Sequence, residues 1–143
     1  MNRGITLIEL IVVLAIVSVL LAVVGPSISG GLDNVVLTSE GRRVLAAFRL
    51  AQNTARETGQ QVFATYDESN LRFLKVGETY QTMTLPRGIR FVSPEQASPL
   101  VFLESGQIAG PDRLELLNAR GRRVELSIDH ARGLIKFEGR ELR

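Results

Sequence analysis

The residues best placed to do chemistry stand at the start of the chain, MNRGITLIEL. Glu9 is the one carboxylate inside an apolar run over residues 5–24. A charge at the centre of a membrane helix costs roughly 2.5–3.5 kcal/mol on insertion scales, so Glu9 calls for a compensating partner. A peptidase cut between Gly4 and Ile5 would supply one. The new α-amine would lie on Ile5, four residues before Glu9, and positions i and i+4 share a helix face. Amine and carboxylate can pair within one helix, or between neighbouring helices staggered by about one turn. An unpaired carboxylate in low dielectric is costly and a paired one much less so. Glu9 then acts as a register device, satisfied at one axial stagger and exposed to lipid at others.

Other reactive groups are sparse. His130 is the only histidine and stands beside Asp129 in a turn-like stretch, with no serine or cysteine nucleophile in a recognisable motif. A catalytic triad is defined by geometry and roles that nothing here supports. With no cysteine, one histidine is a weak start for a metal site. The glycines form neither a GxGxxG nor a GxxxxGK phosphate loop. The expectation is a non-enzyme that needs no cofactor and no metal. Arginines make up 15 of the 17 basic residues and suit carboxylate or phosphate pairing. Arg120, Arg122 and Arg123 cluster in one turn and the strand after it, and Arg140 and Arg143 lie in the tail GRELR. Three readings stand for them: a solvated, salt-bridged surface, nucleic-acid contact without sequence readout, or an acidic protein partner.

Composition bounds the rest. The 143 residues hold one domain and one extra element. Net charge is only +2, although the pI is about 9.5, and this does not by itself mark a nucleic-acid binder. An apolar content of 45% speaks against disorder.

The elements that must position these residues follow from periodicity. Residues 5–24 have the length of a membrane helix, about 20 residues. A cleaved secretory signal fits poorly, because the basic start is Arg3 alone, the apolar stretch is too long, and Gly25-Pro26 is a poor cleavage site. A plain membrane anchor fits the length and leaves Glu9 unexplained. Pro26 lacks a backbone donor and kinks or breaks a helix, and a kinked continuous helix is expected there. Leu37, Val44, Phe48, Ala51 and Ala55 form one apolar stripe at helical spacing, with Asp33 or Asn34 as N-cap and Gly59 as C-cap. Strand-like alternation follows at 61–66 and 71–76, flanking the turn DESN, then at 79–85, 89–92, 100–104, 114–117, 123–128 and 134–138. Without βαβ alternation the sheet is antiparallel.

Gly4, Ile5, Glu9 and the run after them closely resemble the class III signal of type IV pilins and type II secretion pseudopilins. The resemblance implies that prepilin peptidase cleaves after Gly4 and methylates the amine of Ile5, and that Glu9 guides assembly. The family usually has phenylalanine where this chain has Ile5. ARETGQQVFATY, VFLESGQIAG and the strands ending in HARGLIKF further resemble the GspH/FimT branch of pseudopilins and minor pilins. That branch shows a hydrophobic strand, a glycine turn, and two strands split by an Asp-containing glycine turn, here residues 101–103, Gly106, Asp129 and Gly133. Its DNA-capturing minor pilins carry a GRxR tail motif. In GRELR, Gly139 and Arg140 fit, and the second arginine, Arg143, falls one place late.

The implied fold is α+β and pilin-like, a long N-terminal helix continuing into an amphipathic helix packed on antiparallel sheet. The expected organisation is a leader at 1–4, a transmembrane and assembly helix at 5–30, and a periplasmic head at 31–143 with its helix at about 32–58 and strands at about 61–138. The expected role is a minor pseudopilin of a type II secretion pseudopilus in the bacterial inner membrane. Its partners would be prepilin peptidase, other pseudopilins or pilins, the membrane and secreted cargo. The alternative is a type IV pilus minor pilin, with DNA bound through the C-terminal arginines.

Overall fold

The computed structural model describes residues 6–92 and 98–138, with only the backbone described at 23–31. Helix α1 runs Leu7–Thr58. It starts because Thr6 caps it: the Thr6 carbonyl accepts from Leu10 N at 3.2 Å. It ends at Gly59, whose φ of 61° is the left-handed conformation that stops a helix. Gln60 N then donates to Ala55 O at 3.3 Å, the longer bond of a Schellman turn. Pro26 lies inside α1 rather than at a boundary, as do Asp33 and Asn34. The expected N-cap at Asp33 or Asn34 is therefore corrected, because no second helix starts there.

Two units partition the chain, Met1–Val35 and Val36–Arg143. In the first, every described side chain is exposed from Thr6 to Ala22. Among the described residues no helix is long and apolar enough to cross a membrane.

In the second unit the strands are β1 (Val62–Tyr66), β2 (Asn70–Lys75), β3 (Glu78–Thr84), β4 (Ile89–Val92), β5 (Leu100–Phe102), β6 (Ile108–Ala109), β7 (Arg113–Asn118), β8 (Arg123–Asp129) and β9 (Leu134–Glu138). They form two sheets, ordered β3-β2-β1-β5-β6 and β4-β7-β8-β9. All the pairings are antiparallel. The chain leaves the first sheet to lay down β4, returns for β5 and β6, and finishes the second sheet as the meander β7-β8-β9.

One core joins α1 to both sheets. The stripe Leu37, Val44, Phe48, Ala51 and Ala55 is buried. Alternate strand residues face it, including Val62 and Ala64 of β1 and Val124, Leu126 and Ile128 of β8. Phe48 sits among aromatics, 6.1 Å from Phe73 in an edge-to-face contact and 5.7 Å from Phe102. Gly41 is the close approach: a Cβ there would run into the Phe137 ring, which would have to shift.

Candidate functional site

The start of α1 is built from the sequence TLIE. Thr6 and Glu9 have the spacing of a capping box, in which the first hydroxyl serves the third backbone N–H of the helix. Here Glu9 N reaches Thr6 Oγ1 at 3.4 Å, long for a hydrogen bond. Glu9 is the acidic residue of the first turn, where the helix dipole favours negative charge. Its carboxylate therefore has local support at this end, a feature the residue-by-residue reading missed although the pattern was present. Gly4 and Ile5, the predicted cleavage and methylation pair, lie outside the described residues.

Around Glu9 and after it, apolar side chains point in every direction from α1. Leu7, Ile8, Ile11, Leu14, Val19 and Leu21 are each more than half exposed. A helix apolar all round needs an apolar environment. Ser18, the polar interruption, donates its hydroxyl to Leu14 O at 2.8 Å, which leaves no free donor on the helix surface there.

The predicted arginine cluster is divided. Arg123 pairs with Glu115 across β7 and β8 at 3.2 Å, a structural use of its charge. Arg120 and Arg122 give their backbone N–H groups to Asn118 Oδ1 at 3.0 and 2.9 Å, which shapes the β7–β8 turn. Arg140 and Arg143 lie outside the described residues. His130 is occupied rather than poised: its Nδ1 faces Ile108 O and its Nε2 faces Asp112 Oδ1, both at 2.9 Å. The ring thus ties the β8–β9 turn to β6 and to the loop before β7. Among the described residues no His, Cys, Asp and Glu side chains gather into a metal-binding set.

Two polar devices hold the head together, an unforeseen one on α1 and one in the expected DESN turn. Gln52 is buried on the apolar face of α1. Its Nε2 donates to Gly106 O at 2.6 Å and to Gly133 O at 2.7 Å. One carboxamide therefore joins the helix to a turn of each sheet. The two glycines have φ of 86° and 61°, and a Cβ at Gly133 would strike the Gly106 carbonyl oxygen. The helical spacing Phe48, Gln52, Ala55 was the signal that a polar residue sits within the stripe.

The second device is the β1–β2 turn. Asp67 Oδ1 accepts from Ser69 N at 2.9 Å and Asn70 N at 2.8 Å, and Oδ2 lies 3.2 Å from Arg72. The Ser69 backbone donor, with Asn70 and Arg72 adding to it, holds the Asp67 carboxyl below its ordinary range. The shaped turn passes bonds onward, since Glu68 O accepts from Phe91 N of β4 and Ser69 O from Leu85 N. Tyr66 beside it packs at a tilt against Phe91, ring centroids 5.6 Å apart, and burial pushes its phenol pKa upward.

Comparison with known proteins agrees at both ends of the chain. Residues 1–25 match the family model described as the prokaryotic N-terminal methylation motif. No curated protein sequence matches the chain at a significant level. Among solved structures, the minor pseudopilin EpsH from the type 2 secretion system of Vibrio cholerae is similar at a TM-score of 0.60 and 19% identity, over 71% of this chain and 95% of that one. A second structure of that pseudopilin gives 0.59 and 16%, over 71% and 92%. At this identity the likeness is one of fold. The chain therefore joins the N-terminal methylation motif of prepilin-type proteins to a pilin-like fold of the kind seen in EpsH.

Proposed function

We propose that the chain is a minor pseudopilin, a structural subunit rather than a catalyst. In this reading the precursor sits in the inner membrane through residues 5–24 with its head in the periplasm. Prepilin peptidase cuts between Gly4 and Ile5 and methylates Ile5. The mature chain then joins a filament of several pseudopilins that spans the periplasm and aids protein export. Glu9 sets the axial stagger by pairing with an Ile5 amine, and Pro26 gives α1 a point where it can bend. The observation that carries this reading is the presence, in one chain, of the methylation motif at the start and the pilin-like fold behind it. The all-round apolar surface of α1 supports both lipid insertion and packing among other such helices.

Co-expression with prepilin peptidase tests it. Mass spectrometry of the product is expected to show loss of Met1–Gly4 and gain of one methyl group, and a Gly4→Leu variant is expected to keep its full mass. An unchanged mass in the presence of an active peptidase would sink the reading. For Glu9, the expected result is that Glu9→Ala is processed normally but recovered in filaments far less often than wild type.

A further inference from the structure

The exposed side of α1 in the second unit bears an open groove of about 630 Å³. Leu45, Ala46 and Leu50 line it together with Phe137 of β9, and so do Arg42 and Arg49. On the helix these residues form one stripe at spacings of three and four, with a cation at each end of an apolar pair. Arg42 and Arg49 are seven residues apart, which is two turns or about 10.5 Å along the axis. Leu50 is 52% exposed although it is apolar, and Phe137 is only partly buried.

The charges are as informative as the apolar surface. Several arginines elsewhere on the head are matched to carboxylates, among them Arg43 to Glu40 at 3.3 Å, Arg72 to Asp67 at 3.2 Å, and Arg123 to Glu115 at 3.2 Å. Arg42 and Arg49 are exposed and have no hydrogen-bond or ion-pair partner among the described residues. The groove therefore offers two guanidinium forks, suited to carboxylates, around apolar surface that water covers at a cost.

We infer that this groove docks an acidic amphipathic helix of a partner protein. Two carboxylates seven residues apart on that helix would meet Arg42 and Arg49, and an apolar side chain between them would seat against Leu45, Leu50 and Phe137. The match in length arises because two roughly parallel helices share the same rise per residue, and docking of a helix through spaced anchors is a recurrent recognition mode. A nucleic acid suits the groove less well, because its outward phosphates would meet the arginines and leave the leucines wet. The inference holds whether or not the precursor is processed or built into a filament.

The test uses the full chain in detergent micelles and a fluorescein-labelled synthetic helical peptide with Glu at two positions seven apart and Leu at the third and fourth positions between them. Fluorescence anisotropy is expected to show saturable binding, weakened about tenfold or more by Arg42→Glu, Arg49→Glu or Leu50→Asp. The double variant Arg42→Glu/Arg49→Glu is expected to prefer a peptide with Lys in place of both Glu residues. That swap of preference separates a specific site from mere loss of folding. Absent binding, or binding indifferent to all three substitutions, overturns the inference. So does tighter binding of a duplex DNA probe through the same arginines, or self-association of the chain abolished by the same substitutions, which would assign the groove to a second copy.

Discussion

Asp67 shows how much one exposed carboxylate can do when the backbone is arranged around it. It shapes the turn whose carbonyls hold both Leu85 and β4, so the two sheets meet partly on its account. Its folded pKa lies below the unfolded value. The stabilisation is therefore present in full above the unfolded value, near pH 4, and is lost as pH falls through the folded pKa. Thermal melts of wild type and Asp67→Asn are expected to differ at neutral pH and to converge as the pH is lowered below about 4. A gap that stays constant down to acid pH would count against an ionised Asp67 as its source. Glycine supplies a second comparison. Gly59 and Gly133 have the same φ of 61°, but a Cβ has open space at Gly59 and meets the Gly106 carbonyl at Gly133. Gly59→Ala is expected to cost about 1–2 kcal/mol from backbone conformation alone. Gly133→Ala is expected to cost clearly more in chemical denaturation.

At the level of elements, the apolar stripe of α1 is the main contact, and Phe48 is its centre. Phe48→Ala is expected to destabilise the head by about 3–5 kcal/mol, read as a lower denaturation midpoint. A loss below about 1 kcal/mol would mean that Phe73 and Phe102 close the gap unaided. This stripe was legible because helical and strand periods differ, and so were the first hairpin, from DESN between alternating runs, and the final meander, from its short turns. The division into two sheets was not. Alternation tells which face of a strand is buried but not which strand lies beside it. Strand β6 was missed for a simpler reason: at two residues, Ile108–Ala109, it is too short to carry a period. Gln52 could be seen within the stripe, yet its two acceptors are backbone carbonyls, which no residue type announces. The continuous helix expected past Pro26 is observed, but the N-cap expected at Asp33 or Asn34 is not, because those residue types signal a boundary locally whereas the helix carries on through them.

Over the whole molecule, the two units present opposite surfaces. The first offers apolar side chains on all sides and the second buries its own around one core. That contrast is what a subunit requires if one part is to pack among lipids or like helices and the other to face water. The Gln52 carboxamide adds a statement about time. Its two acceptors lie 54 and 81 residues further along the chain, so neither bond can close until α1 and the relevant turn of each sheet are in place. Contacts at such separation carry a large loop-closure cost and tend to form late. Gln52→Ala is therefore expected to leave the refolding rate nearly unchanged and to speed unfolding, a signature that stopped-flow measurements in both directions would read. A head that refolds proportionately slower would place this junction at the beginning of folding rather than at its final closing step.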